Sequence, residues 1–290
     1  MADTAIFDLV AETAMTAAHE FVVQDTSAAT VAQAATFALT GGLEYDAQTV
    51  TTTDITGAVG KLYGVTIAGL TADRNLTLPS AQVGERLGVH VIDGDASFEL
   101  ILKGAASQTI NGGSAATEWS RIFIAGETVV FRCTAANTWI VEYDGRIPCK
   151  FHAQPSADLT TTHSAGTWTD AGFNSEEYDI GDVYDTSSPF RFTCRRDGKW
   201  EFGIVLGPAG SVSDQDNWGA GFGLNNPSVP DRKFLNKSAA AGTVAFTSGV
   251  ATFDLSTGDT IDAMFLTTQA NIGIEGTDVT KSWFAGKELL

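Results

Sequence analysis

Apolar positions along this chain change rhythm three times. Over residues 1–42 they fall at Ile6, Leu9, Val10, Ala14, Phe21, Val22, Val23 and Phe37, in a background rich in Ala and Thr. That spacing predicts a helix over part of 3–20, although Thr and Phe dilute the propensity. Gly41 and Gly42 then punctuate the chain. From residue 43 onward the pattern becomes short apolar runs cut by Gly, Asn and Asp: 61–70, 75–78, 87–93, 98–103, 121–124, 128–133 and 138–143. Alternation of period two is clearest in 128–133 and 139–143, with 134–137 between them as a hairpin loop. Asp93-Gly94-Asp95 and Asn111-Gly112-Gly113 supply positions that tolerate positive φ. A small antiparallel β domain over 43–146 is the expectation.

The turn cluster Asp144-Gly145-Arg146-Ile147-Pro148 ends that pattern and marks a boundary. A second series of runs follows at 149–154, 168–174, 190–194, 199–207, 219–224, 233–236, 243–255, 260–268 and 281–290. Strands at spacings near ten residues, with no long amphipathic helix between them, indicate a sandwich or jelly roll over 147–290. The chain is therefore expected to be all-β, with an N-terminal segment, a small β domain and a larger β head.

Composition narrows the partners. With 290 residues and 43% hydrophobic content there is material for two cores. The formal net charge of −18 argues against nucleic acid, because neutralising phosphates needs clustered Lys and Arg. No apolar run approaches the roughly 18 residues of a membrane span. Met1-Ala2-Asp3-Thr4-Ala5 lacks the basic and apolar regions of a signal peptide, so synthesis in a cytoplasm is expected. Cys133, Cys149 and Cys194 form no CxxC or Cys/His pattern, and free thiols are the expectation.

The second half carries an ordered set of short signatures: Phe151-His152-Ala153, Trp168, Phe173-Asn174, Tyr178-Asp179, Tyr184-Asp185, Phe190 with Phe192, Gly198 with Trp200 and Phe202, Leu224-Asn225, Gly258-Asp259, and Phe284 with Gly286 and Leu289-Leu290. In this order they resemble the globular head of complement component one q and the tumour-necrosis-factor-like jelly rolls. The resemblance implies a homotrimer with aromatic residues along its threefold axis and a ligand-binding rim. It also implies that the Phe151 strand lies beside the Phe284 strand. Trp168, Tyr178, Tyr184, Trp200, Phe202, Trp218, Phe222 and Phe284 are the candidates either for the trimer core or for a ligand-facing surface.

In the first half, Asp3 to Ile6, Leu9, 20–25 and 36–39, followed by Leu76 to Ser80, Gly84, Ile110 to Gly113 and Thr138-Trp139, are similar to phage virion fibre proteins. That resemblance implies a virion location. Residues 1–42 would be the anchor, through Ile6, Leu9, Phe21, Val23 and Phe37, with capsid or tail proteins as partners and a host-surface glycan as a further one. The alternatives are a decoration protein that stabilises the particle without a receptor and, as an outsider, a glycan-degrading spike.

Catalytic patterns are absent. His19, His90, His152 and His163 are scattered, and no HExxH, GxSxG elbow or phosphate loop occurs. Gly219, Gly221 and Gly223 lack a βαβ setting and suit close strand packing instead. Glu176-Glu177, Asp182 and Asp185 are the carboxylates a sugar-cleaving site would draw on, but neighbours on a strand face opposite ways. Asp214, Asp216 and Asn217 before Gly219 suggest a calcium loop, yet position twelve from Asp214 is Asn225 rather than Glu. No catalytic, cofactor or metal residue is assigned, and calcium in that loop is the one cation left open.

Overall fold

The computed structural model describes residues 43–49, 53–94, 97–159, 165–209, 217–226, 228–237, 246–268, 273–276 and 282–290. The helix expected within 3–20, the anchor candidates Ile6, Leu9, Phe21, Val23 and Phe37, and the calcium-loop residues Asp214 and Asp216 lie outside them. Among the described residues there are strands and turns but no helix.

The first ten strands are β1 (Glu44–Thr49), β2 (Ile55–Thr56), β3 (Lys61–Thr66), β4 (Arg74–Leu78), β5 (Arg86–Asp93), β6 (Leu100–Gly104), β7 (Thr109–Ile110), β8 (Glu118–Ile122), β9 (Thr128–Ala135) and β10 (Thr138–Gly145). They form two sheets, ordered β1-β3-β5-β9-β10-β7 and β2-β4-β6-β8. β1, β3 and β5 run parallel, and so do β2, β4 and β6. The chain thus crosses from one sheet to the other after each strand, in the manner of a short solenoid. Antiparallel pairs enter only where β8 and β9 close the stack and β10 folds back on β9.

This corrects the antiparallel domain expected over 43–146. Leu87, Val89, Val91, Val129 and Phe131 of one sheet pack toward Leu76, Leu78, Leu100, Leu102 and Ile122 of the other, all fully buried. Each such strand buries the same alternate residues whichever way its neighbour runs, so the direction of pairing left no trace in the apolar pattern. The expected hairpin does form between β9 and β10, where Asn137 takes φ of 61° in the turn.

Twelve strands follow: β11 (Lys150–Gln154), β12 (Trp168–Asp170), β13 (Ser175–Ile180), β14 (Arg191–Thr193), β15 (Gly198–Leu206), β16 (Pro208–Ala209), β17 (Asn217–Leu224), β18 (Arg232–Lys237), β19 (Thr247–Leu255), β20 (Thr260–Thr267), β21 (Gly273–Ile274) and β22 (Trp283–Leu289). One sheet runs β13-β11-β22-β15-β19 and the facing one β12-β20-β17-β18, with β14 also on β20. Most connections pass from one sheet to the other, β17 and β18 pairing within the second sheet and β16 with β21 in a separate two-stranded ribbon, which makes this a jelly-roll sandwich. First and last strands lie side by side as expected, with Phe151 opposite Gly286 and Ala153 opposite Phe284. The run expected as one strand over 168–174 is instead split, because Gly172 takes φ of 63° and sends the chain from one sheet to the other.

Period two decides which rings enter the core. Trp200, Phe202 and Ile204 on β15 and Phe284 on β22 all point between the sheets, where Phe151, Phe192, Phe202, Phe222 and Phe284 pack against one another. Burying each such ring contributes roughly 1.5–3 kcal/mol relative to leaving it exposed. Gly286 is required at the centre of this cluster: a Cβ there would meet Phe202 at 2.8 Å.

Candidate functional site

The eight candidate aromatics do not form one site. Tyr184, Trp200, Phe202, Trp218, Phe222 and Phe284 are inside the sandwich of the chain itself, so they line neither a threefold axis nor a ligand surface. Their count reflects a core filled with rings. Trp168 is half-buried on the outer face of the second sheet, and Tyr178 is exposed on β13 at the edge of the first. Tyr184 donates its hydroxyl to the carbonyls of Phe173 and Phe190 and serves to hold the core closed.

What Tyr178 belongs to emerges from the register of the first sheet. On the outer face, Tyr178 lies opposite His152, His152 opposite Ala285, Ala285 opposite Gly203, and Gly203 opposite Val250. The adjoining row places Trp283 opposite Val205 and Val205 opposite Ser248. These two rows hold no Asp, Glu, Lys or Arg. Trp283 lies over Gly203, where a Cβ would meet the indole at 3.1 Å. The His152 ring is 5.7 Å from Trp283 and 6.0 Å from Tyr178, centre to centre, giving a continuous run of three flat side chains. Val250 is 63% exposed and Tyr178 42% exposed.

Charge gathers along the margin of this stripe. The next row along the strands contains Lys150, Lys287 and Glu201, with Lys287 and Glu201 paired at 2.9 Å. From the edge strand, Glu177 approaches Nδ1 of His152 at 3.4 Å, and Lys150 lies 5.6 Å above the Tyr178 ring. An apolar and aromatic centre with a charged margin has the anatomy of a protein interface. Trp283, Val205 and Val250 were not singled out from the sequence, and His152 was read there only as part of the Phe151-His152-Ala153 signature and as one of four scattered histidines. The available signal was the odd-numbered set on 283–289, which alternates with Phe284 and Gly286.

On the opposite face of β22 the same strand meets the first unit through a buried ion network. Arg196, wholly buried, donates to Glu127 Oε1 at 2.5 Å, to Glu288 Oε2 at 3.1 Å and to the Arg121 carbonyl at 2.8 Å. Glu127 also accepts from the backbone of Phe123, Ile124 and Ile147, and Glu288 from that of Cys149. Beside it Arg195 pairs with Glu99 at 2.7 Å, and its guanidinium sits 4.1 Å from the centre of the Phe123 ring. Burial pushes Glu288 above the usual carboxylate range, and Arg196 draws it partly back. Arg196 itself is held charged, since Glu127 and Glu288 outweigh the effect of its burial.

The remaining reactive groups are inert where they stand. Cys133, Cys149 and Cys194 are free and buried. Burial pushes the Cys149 thiol far above its ordinary value and that of Cys194 up to about 12, which removes the thiolate needed for nucleophilic chemistry. Glu176 and Glu177 are adjacent and exposed on β13, while Asp185 is engaged by Ser187. Among the described residues no cluster of three or more His, Cys, Asp or Glu side chains is placed to hold a metal. No helix among them is long and apolar enough to cross a membrane.

Fold and face together describe a β protein whose jelly-roll half has one sheet face free of charge in its middle rows. Solved structures similar to about half of the chain include murine APRIL (TM-score 0.38, 10% identity, 49% of this chain and 100% of that one). The globular domain of zebrafish complement 1qA is similar too (TM-score 0.36, 15% identity, 50% of this chain and 98% of that one). A third is Eiger TNF from S. frugiperda (TM-score 0.34, 14% identity, 50% of this chain and 92% of that one). At such scores the likeness says nothing of assembly, partner or ligand. No protein-family model matches the sequence, and no curated protein does.

Proposed function

We propose that this chain is a non-enzymatic structural and recognition module that assembles as a homotrimer, with the uncharged rows of the β13-β11-β22-β15-β19 sheet as the surface each copy presents to its neighbours. The observation behind the proposal is that two adjoining rows across this sheet carry no charged side chain on a chain of net charge −18. Copies this acidic repel one another, so a contact between them needs a face where no like charges meet. Threefold symmetry is taken from the sequence resemblance of 147–290 to trimeric jelly-roll heads. A closed ring also occupies the exposed edge strand β19, which otherwise invites open-ended pairing.

The resemblance of the first half to virion fibres extends the reading. Residues 1–42 would face the capsid or tail and the second unit would face outward, where three weak sites per head and many heads per particle turn modest glycan affinity into firm attachment. The buried Arg196 joint favours a second reading, a cement protein. Fixing the two β units to each other through a buried ion network suits a part that stiffens a particle. Loss of host adhesion with intact particles on deleting the gene supports the first reading; loss of particle stability with normal adhesion supports the second.

Light scattering of the full chain tests the assembly. Val250→Glu and Val205→Glu, placed in the middle of the stripe, are expected to convert a trimer to monomers while leaving the β circular-dichroism signal unchanged. Variants that remain trimeric would move the interface to another face, and a native chain that is monomeric at tens of micromolar would remove the proposal.

A further inference from the structure

The joint between the two β units is built as a plug in a socket. Phe123, in the turn between β8 and β9 of the first unit, is buried, and its ring lies against the second unit. Gly181, just past β13, takes φ of 103°, and a Cβ there would meet the Phe123 ring at 3.3 Å and Cys149 Sγ at 2.7 Å. Two guanidinium groups of the second unit complete the socket, Arg195 at 4.1 Å and Arg196 at 4.9 Å from the centre of the ring. Arg195 also ties the rim together. It donates Nε to Glu99 at 2.7 Å, Nη2 to the Phe98 carbonyl at 3.3 Å and Nη1 to the Gly181 carbonyl at 2.9 Å. Buried apolar residues of both units form one continuous cluster, which includes Phe131 and Trp139 of the first, Phe123 and Cys149 at the joint, and Phe151 and Phe202 of the second.

Units that meet through a small, wet contact unfold one at a time, because each keeps its own core when the other is lost. Neither unit does so here. Unfolding the second would uncover the Phe123 ring and take Arg196 from Glu127, a carboxylate that the backbone of Phe123, Ile124 and Ile147 holds in place. Unfolding the first would take Glu99 from Arg195 and Glu127 from Arg196, the latter wholly buried. Either loss strands a charge in the surviving unit, which costs far more than a surface ion pair returns. We infer that Phe123 and the two arginines make the two β units a single cooperative body, so that the boundary visible in the sequence at 144–148 is a boundary neither of folding nor of motion. The sheet that carries the uncharged stripe is thereby held in one orientation to the first unit.

The test follows individual tryptophans of the full chain by fluorine NMR, after fluorotryptophan labelling, through urea unfolding. Trp139 reports the core of the first unit and Trp200 that of the second. Both native resonances should disappear over the same range of urea. The sharper arm is Leu78→Ala, at a fully buried position on β4, at the end of the strand away from Asp73 and Glu99. It should lower the Trp200 midpoint by as much as the Trp139 midpoint. In a Phe123→Ala background, which empties the socket, the same substitution should lower the Trp139 midpoint alone. A Leu78→Ala chain in which Trp139 shifts and Trp200 does not would overturn the inference, and equal shifts that persist in Phe123→Ala would contradict the role given to Phe123. Native-state hydrogen exchange of the unsubstituted chain guards against a variant that fails to fold: the slowest amides of β9 and β15 should report one unfolding free energy, and a lower value for either strand would overturn the single body. These readouts compare two places in one chain, so they stand whether the chain is a trimer or a monomer.

Discussion

Strand β22 faces two regions that treat charge in opposite ways. On its inner side Glu288 enters a joint where Arg196, Glu127 and Glu288 are buried together, every charge answered by a partner from the same chain. On its outer side Trp283 and Ala285 lie in rows with no charged side chain at all. A buried charge is tolerable only when its partner is guaranteed to be there, since the desolvation cost is several kcal/mol per ion. Within one chain that guarantee holds. A face whose partner must arrive by diffusion keeps its charges at the rim, where water serves them until contact is made. The joint is an interface with both sides present, and the proposed reading makes the stripe one side of another.

Breaking the joint should have the largest effect on stability. Arg196→Met leaves Glu127 and Glu288 buried without their cation and is expected to cost about 3–5 kcal/mol, measured by urea unfolding of the full chain. A loss below about 1 kcal/mol would mean that the two β units are not held by this network. Glu288→Gln keeps the shape and removes one charge of three, so about 1–3 kcal/mol is expected from the same measurement.

Substitutions on the stripe should reverse the balance. Val250→Glu is exposed on an edge strand and should change the stability of the monomer by no more than about 0.5 kcal/mol, while the assembled mass falls threefold. Leu235→Ser sharpens the contrast as a control: Leu235 is as exposed as Val250 but lies on β18 of the other sheet, so neither stability nor mass should change. If Leu235→Ser dissociates the assembly and Val250→Glu does not, the interface lies on the second sheet.

Much of the jelly roll was legible because its signals are local or terminal. Alternation over Gly198 to Leu206 placed Trp200 and Phe202 on one face, and the apolar strands at Phe151 and Phe284 found each other as their resemblance implied. The parallel order of β1, β3 and β5 was hidden, because pairing direction depends on where the connections run and not on which residues are apolar. The joint was hidden for another reason. Arg196 meets Glu127 and Glu288 across 69 and 92 residues of chain, and in sequence each looks like an ordinary solvated charge. The stripe was half visible: Tyr178 was singled out, whereas Trp283 stood beside Phe284, whose strand carried the attention inward. Aromatic count drew the eye to the core, while the informative feature of the surface was the charge missing from it.

The claim that this face joins copies of the chain is tested most directly by the mass of the native protein in solution. Sedimentation equilibrium at low micromolar to tens of micromolar concentration should give three times the 30.5 kDa chain mass at every concentration. A species that stays at 30.5 kDa across that range would contradict the account.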